Sequence, residues 1–384
     1  MHVPRLLQKV AALCWGMAGA FAGTDGTAAP AVVQGAASKG QEIVLVEPDA
    51  VTKRSVAQWR REGFSAVALV LDEKFGKAAY KKSAEAINAA RLGVFYWIEV
   101  ARNPKLATDH PEWMASLGSH DDWQKLFPDV PLPKKGEVAK VFPWVPINYR
   151  EAFDAQFERV KSLLTLAAGD YRGVLLNDLQ GGPSSCGCGN LQCRWATDYN
   201  VPATGAKLPG DDAAAKFVEA VQRLAGTKAV IPVWTTECTD EDLPSDKRAG
   251  QWSTGYSGTV GCAVGRCPKE LTKQWSALLA SHFGPVGVLA LHREFRRVLP
   301  QYGEPTAWVA HPVNYLDTIP AQNGGAVLPK DRLWLAVEGH GVPAGEEKRA
   351  RRTAAQTGAA AIVVARTRLD QSYEPRIVRV PPVP

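Results

Sequence analysis

The feature that most constrains this chain is a rhythm. Eight short apolar runs rich in β-branched residues, at 43–46, 67–71, 94–98, 174–176, 230–233, 286–291, 333–337 and 361–365, alternate with amphipathic segments. A strand that is apolar at every position is buried on both faces, and such strands joined by helices form a parallel sheet. The segments between them carry helical stripes. Phe217, Val218, Val221 and Leu224 share a face, as do Leu271, Trp275, Leu278 and Leu279 after Pro268, and Phe153, Phe157, Val160 and Leu164 after Arg150. Most of these segments end on a glycine just before the next run: Gly63, Gly93, Gly169, Gly226, Gly284 and Gly358. Glycine there closes a helix in left-handed backbone, so the helix-to-strand turns are short. The strand-to-helix connections are long, at 100–150, 179–211, 237–267 and 292–330. Eight βα units elaborated at one end predict a (β/α)8 TIM barrel with long βα-loop insertions, its working site on the loops that follow the strands. A doubly wound open sheet has a similar rhythm, but no Gly-x-Gly-x-x-Gly follows the first run to support a dinucleotide version.

Length and composition agree with one such barrel. The chain has 384 residues, and 46% hydrophobic against 22% charged residues permits a sizeable core and argues against global disorder. The start reads as an export signal. Arg5 and Lys9 precede an apolar stretch at 10–20, too short to span a bilayer, and Ala20-Phe21-Ala22 supplies the small-x-small cleavage pattern. Cys14 follows Leu13, where a lipid-anchoring signal needs a small residue. The expected organisation is a signal peptide at 1–22, a flexible Ala/Gly/Thr-rich lead-in at 23–40 and a single barrel domain at 41–384, delivered to the periplasm or secreted. No later segment is long and apolar enough to cross a membrane, so no membrane span is expected in the mature chain. The formal charge of +6 is too small and too dispersed to argue for nucleic acid. The densest basic run, Lys348-Arg349 and Arg351-Arg352 behind Glu346-Glu347, reads as a solvated helix face.

The apolar runs end at ionisable residues in a consistent way. Side chains alternate along a strand, so positions two apart share a face. Glu47 shares parity with Leu45, Asp72 with Val70, Glu99 with Trp97, Asp178 with Leu176, His292 with Ala290, Glu338 with Ala336 and Arg366 with Val364. If those faces point inward, five carboxylates, a histidine and an arginine ring the barrel mouth. Crowded carboxylates are where pKa values are pushed apart, which suits acid/base chemistry. The chain also has 12 Trp, many of them in the long loops, and indoles such as Trp97 and Trp234 are candidate platforms for sugar rings.

Several motifs fall in order along this frame. After the third run comes Ala107-Thr108-Asp109-His110-Pro111-Glu112-Trp113, then Tyr149-Arg150-Glu151-Ala152-Phe153, then Tyr171-Arg172-Gly173-Val174-Leu175-Leu176-Asn177-Asp178, and then Cys186-Gly187-Cys188 with Cys193-Arg194-Trp195. This order resembles the glycoside-hydrolase-like barrel proteins of bacteria, many of them exported. In that group a His-Pro-Glu-Trp segment, a Gly-hydrophobic-Asp fourth strand and a Cys-x-Cys-x-x-Cys loop follow one another. The resemblance covers roughly residues 90–200, and the chain departs from it in placing four residues, not two, between Cys188 and Cys193. A broad clan of retaining glycosidases has an acid/base after an Asn at the end of strand four and a Glu nucleophile on strand seven. The resemblance therefore implies an acid at Asp178, after Asn177, and a nucleophile at Glu338. The chain departs from the clan in having Asp where the clan has Glu, which shortens the reach of the acid.

Six cysteines remain after Cys14: Cys186, Cys188, Cys193, Cys238, Cys262 and Cys267, all in loops after strands four and five. An even count in an exported chain argues for disulfides. The competing reading is a structural zinc on Cys186, Cys188, Cys193 and Cys238, with Cys262 and Cys267 bridged. In both readings the cysteines brace the loops.

The leading functional expectation is a hydrolase acting on a carbohydrate, with Asp178 and Glu338 as its carboxylate pair, about 5–10 Å apart as retaining or inverting chemistry requires. Glu47, Asp72, Glu99, Trp97, Asn177, Trp234, Glu237, His292 and Arg366 would bind substrate, and no cofactor is required. Two alternatives stand beside it. One is a metal-dependent barrel enzyme using His292, Glu294, Glu338 and His340. The other is a barrel that binds carbohydrate without turning it over.

Overall fold

A computed structural model of the chain describes residues 40–114, 128–147, 150–179, 212–235, 268–290, 306–322, 324–369 and 374–379. All of them belong to one of the chain's two compact units, Val33–Pro384. Among them run β1 (Gln41–Val46), α1 (Lys53–Arg61), β2 (Ala66–Val70), α2 (Lys77–Ala89), β3 (Gly93–Glu99), α3 (Pro104–Asp109), β4 (Glu137–Phe142), α4 (Arg150–Leu164) and β5 (Gly173–Asn177). Then follow α5 (Ala213–Ala225), β6 (Ala229–Thr235), α6 (Pro268–Ser281), β7 (Val286–Ala290), α7 (Ala307–Gln322), β8 (Leu333–Glu338), α8 (Ala344–Gln356), β9 (Ala361–Ala365) and β10 (Glu374–Arg379). Eight parallel strands close into a barrel in the order β1-β2-β3-β5-β6-β7-β8-β9. The chain is a TIM barrel, and each apolar run of the sequence forms one of its staves. Among the described residues no helix is long and apolar enough to cross a membrane.

Two strands stand outside that rhythm. β4, inside the long connection after β3, pairs antiparallel with β10 as a separate two-stranded sheet. Its face carrying Phe142 and Val378 covers a small satellite core of Ala107, Met114, Val145 and Ala152. A two-stranded ribbon needs such a cover, because alone it is marginal in water.

One ring contact fixes which strand faces point inward. Phe95 and Trp334 meet edge to face at 5.4 Å. They lie on β3 and β8, which stand four staves apart and so face each other across the barrel. Both side chains must therefore point into the interior. Parallel register partners share a face, and the pairing carries the assignment round the barrel. Phe95 pairs with Ala68 on one side and Gly173 on the other, and Trp334 pairs with Gly287 and Ala361. Each large inward ring is thus flanked by the smallest residues, which is how a closed barrel fits bulky groups into one layer. A Cβ on Gly173 would sit 2.5 Å from the Ala229 carbonyl oxygen, and one on Gly287 would sit 2.8 Å from Val233 Cγ2.

The outward face meets the helices. Trp234 packs edge to face on Trp275 of α6 at 5.3 Å, and Phe153 of α4 meets Phe217 of α5 at 5.1 Å. Where the barrel closes between β9 and β1, charged groups fill the gap between the first and last helices. Arg366 pairs with Glu347 at 2.8 Å and with Glu62 at 2.7 Å, and Arg351 pairs with Glu42. Both guanidiniums also lie over the Phe64 ring, at 5.1 and 4.5 Å. Burial works against the charge of Arg366, but the hydrogen bonds and charges of Glu347 and then Glu62 outweigh it and hold the group above its ordinary range. Arg351 is pushed down, first by burial and then by the like charge of Arg366.

Candidate active site at the barrel mouth

The site is built where β3 and β5 end side by side. Glu99 and Asn177 are register partners, so both point inward from neighbouring staves. Trp97 sits one inward position below Glu99, fully buried, and its Nε1–H donates to Glu99 Oε1 at 2.6 Å. Asn177, also fully buried, donates from Nδ2 to Glu99 Oε2 at 2.8 Å and to Asp178 Oδ2 at 3.0 Å. One amide nitrogen therefore joins two carboxylates and holds the two accepting oxygens within about 6 Å of each other, given ordinary hydrogen-bond lengths. The same amide's Oδ1 is buried and meets no donor among the described residues. Such an atom costs about 1–3 kcal/mol unless a ligand or water fills it.

Asp178 reaches this cluster by an unexpected route. Strand alternation with Leu176 was expected to turn it inward. The register instead makes Asn177 the inward residue and leaves Leu176 on the helix side. Asp178 escapes the alternation because it lies past the strand with φ of 59°. That left-handed turn swings its carboxylate back beneath Asn177, and Asp tolerates it better than most residues. The side chain is only 6% exposed. Behind the cluster, Arg159 of α4 donates from Nη1 to the Glu99 carbonyl at 2.7 Å. Glu73 grips the other side of the same guanidinium at 2.8 and 3.2 Å. Strand parity carries no sign of Arg159, which comes from a helix.

The other candidates divide. Glu338 ends β8 on its inward face, on the stave opposite Glu99. Glu47 and Asp72 follow β1 and β2, and both turn to Lys74. Its Nζ donates to Glu47 Oε1 at 2.7 Å, and its backbone N–H donates to Asp72 Oδ1 at 2.8 Å. Two candidates belong to the outer surface of the barrel. Arg366 has the parity of Val364, which the register places outward, and is spent on Glu347 and Glu62. Trp234 lies between barrel and helix against Trp275, so it offers no platform to a sugar. Trp97 is likewise fully buried, and serves Glu99 through its ring nitrogen. Glu237, His292, Glu294 and the six cysteines, Cys186, Cys188, Cys193, Cys238, Cys262 and Cys267, lie outside the described residues, as does the export signal. Among the described residues no three His, Cys, Asp or Glu converge as a metal-binding set. His340, described just past β8, joins no such set.

Lys140 is a further buried charge that strand-end parity does not mark. It lies on β4 with no exposed surface, and its Nζ donates to the carbonyls of Glu112 at 3.0 Å and Met114 at 2.9 Å. Burial drives its pKa down to about 7, against a smaller upward pull from the Glu112 carboxylate. It thereby fastens the His-Pro-Glu-Trp segment, in which His110 stacks on Trp113 at 3.7 Å, to the outlying ribbon. The one signal in the sequence was a lysine at an apolar beat of an alternating strand.

No protein-family model matches the chain, and no curated protein matches it in sequence. Solved structures similar to it in fold include an HpcH/HpaI aldolase from Desulfitobacterium hafniense, at 11% identity over 86% of this chain and 87% of that one, with a TM-score of 0.35. A D-psicose 3-epimerase from Clostridium cellulolyticum, solved with D-tagatose, is similar at 8% identity over 85% and 86% of the two chains, with a TM-score of 0.37. A GH36 α-galactosidase from Geobacillus stearothermophilus, solved with stachyose, is similar at 11% identity over 83% of this chain and 42% of that one, with a TM-score of 0.33. The chemistry in those names belongs to those proteins. The barrel assignment here stands on this chain's own strand order and register.

Proposed function

We propose that the chain is an exported hydrolase of the glycoside-hydrolase type, acting on a carbohydrate at the barrel mouth. The observation that carries this reading is the Asn177 amide, which ties Asp178 to Glu99 and keeps Oδ1 unfilled. An acceptor held so rigidly and left without a donor suits a substrate hydroxyl. Asp178 is the general acid. Its Oδ2 accepts the Asn177 amide hydrogen, which orients the carboxyl that protonates the leaving oxygen. Glu338, from the facing wall, is the second carboxylate, either attacking the sugar carbon or activating water. Glu99 and Trp97 are positioning residues, since they reach the reaction through Asn177.

The test is turnover of a panel of aryl glycosides and polysaccharides by the mature protein, with and without chelator. Hydrolysis that survives chelation and disappears in both Asp178→Asn and Glu338→Gln is the expected result. Binding without turnover would replace the hydrolase with a binding barrel, and loss on chelation would favour a metal enzyme.

A further inference from the structure

A second site lies away from the mouth, on the flank where the barrel closes. A groove of about 550 Å³ opens there between α1 and α8. That volume suits a small molecule. The ion pairs described above form its floor, so Arg351 and Arg366 already face carboxylates. Three further cations line the walls: Arg61 from the end of α1, and Lys348 and Arg352 from α8. None of the three pairs with a carboxylate among the described residues. The groove thus gathers five cationic side chains against three carboxylates, an excess of two positive charges. In the sequence these α8 residues read as a solvated face. The fold changes that reading by bringing Arg61 from a helix nearly 300 residues earlier against them.

We propose that this seam groove binds a small phosphate dianion, of the inorganic phosphate or phosphate monoester class. Two excess charges match a dianion. Guanidinium forks from two different helices match the several oxygens of a tetrahedral anion. Arg351 and Arg366, fixed by their carboxylates, set the groove's shape, and the three wall cations supply the attraction. The proposal does not depend on the reaction at the mouth.

Calorimetric titration of the mature protein tests it, at constant ionic strength set with chloride. The probes are inorganic phosphate, glycerol phosphate and succinate. Saturable binding of both phosphates, weakened at least ten-fold in the double variant Lys348→Ala/Arg352→Ala, is expected, with succinate much weaker. All three wall cations are exposed, so the variants should melt as the parent does in phosphate-free buffer. Absence of saturable phosphate binding, or equal affinity in the double variant, would overturn the site. Succinate binding as tightly as phosphate would overturn the ligand class.

Discussion

Lys140 makes stability depend on pH in a way that can be isolated. Its pKa is about 7 in the folded chain against 10.5 for an ordinary lysine. Between those values the unfolded chain holds a proton that the folded chain lacks, so raising the pH favours folding. Below about pH 7 both states are protonated and the effect has no slope. Within the window each pH unit adds about 1.4 kcal/mol, on the order of 5 kcal/mol in all, as an upper bound for a group that solvent cannot reach. Lys140→Met keeps the volume and removes the titration. It also leaves the Glu112 and Met114 carbonyls without that donor, at roughly 1–3 kcal/mol each if they stay dry. Urea unfolding of both proteins at pH 7, 8, 9 and 10 gives the comparison. The parent should gain on the variant by about a kcal/mol per pH unit. Tyr80 and Tyr96, pushed up to about 12 by burial, lower stability only above pH 10, and they cancel between the two proteins. Parallel pH profiles would refute the reasoning, since Lys140 would then stay charged in the folded state.

Other predictions follow from the barrel itself. Asp178→Asn should change stability by less than about 1 kcal/mol, because Asn also tolerates left-handed backbone, while turnover falls about 10²- to 10⁴-fold; a large drop in melting temperature would make Asp178 a structural residue. Gly287→Ala should cost about 1–3 kcal/mol by denaturant unfolding, since the new methyl meets Val233 Cγ2, and the double variant Gly287→Ala/Val233→Ala should lose less than the two single changes added together. Thiol titration of the denatured, non-reduced mature protein, with zinc analysis, should find Cys186, Cys188, Cys193, Cys238, Cys262 and Cys267 all engaged; six free thiols without zinc would exclude both bracing arrangements.

The staves were legible in the sequence because burial on both faces writes a continuous apolar run, and eight of them leave few arrangements open. Inward and outward faces were less so. A strand buried on both sides has no polar face to mark its register, so parity must be read from its end. At the end of β5 two polar residues, Asn177 and Asp178, stand together, and alternation alone cannot choose between them. Asn177 is the inward one, and the left-handed turn at Asp178, invisible in the sequence pattern, restores the Asp178 carboxylate to the cluster. At Arg366 nothing restored it, and the side chain stayed among the helices. Trp234 misled for the same reason: an indole beside a loop reads as a platform until the register turns it outward. The ribbon of β4 and β10 was illegible because its two halves lie more than 200 residues apart and neither is apolar enough to announce itself.

The layer of Phe95 and Trp334 also decides traffic. Their rings meet across the axis and block it, and Trp97, fully buried one inward position higher, stands between that layer and the Glu99 carboxylate. The axis is therefore no passage. Under the proposed function a carbohydrate chain cannot be drawn along it and cut as it passes. It has to lie across the rim, or present one terminus to the level of Glu99 and Asn177.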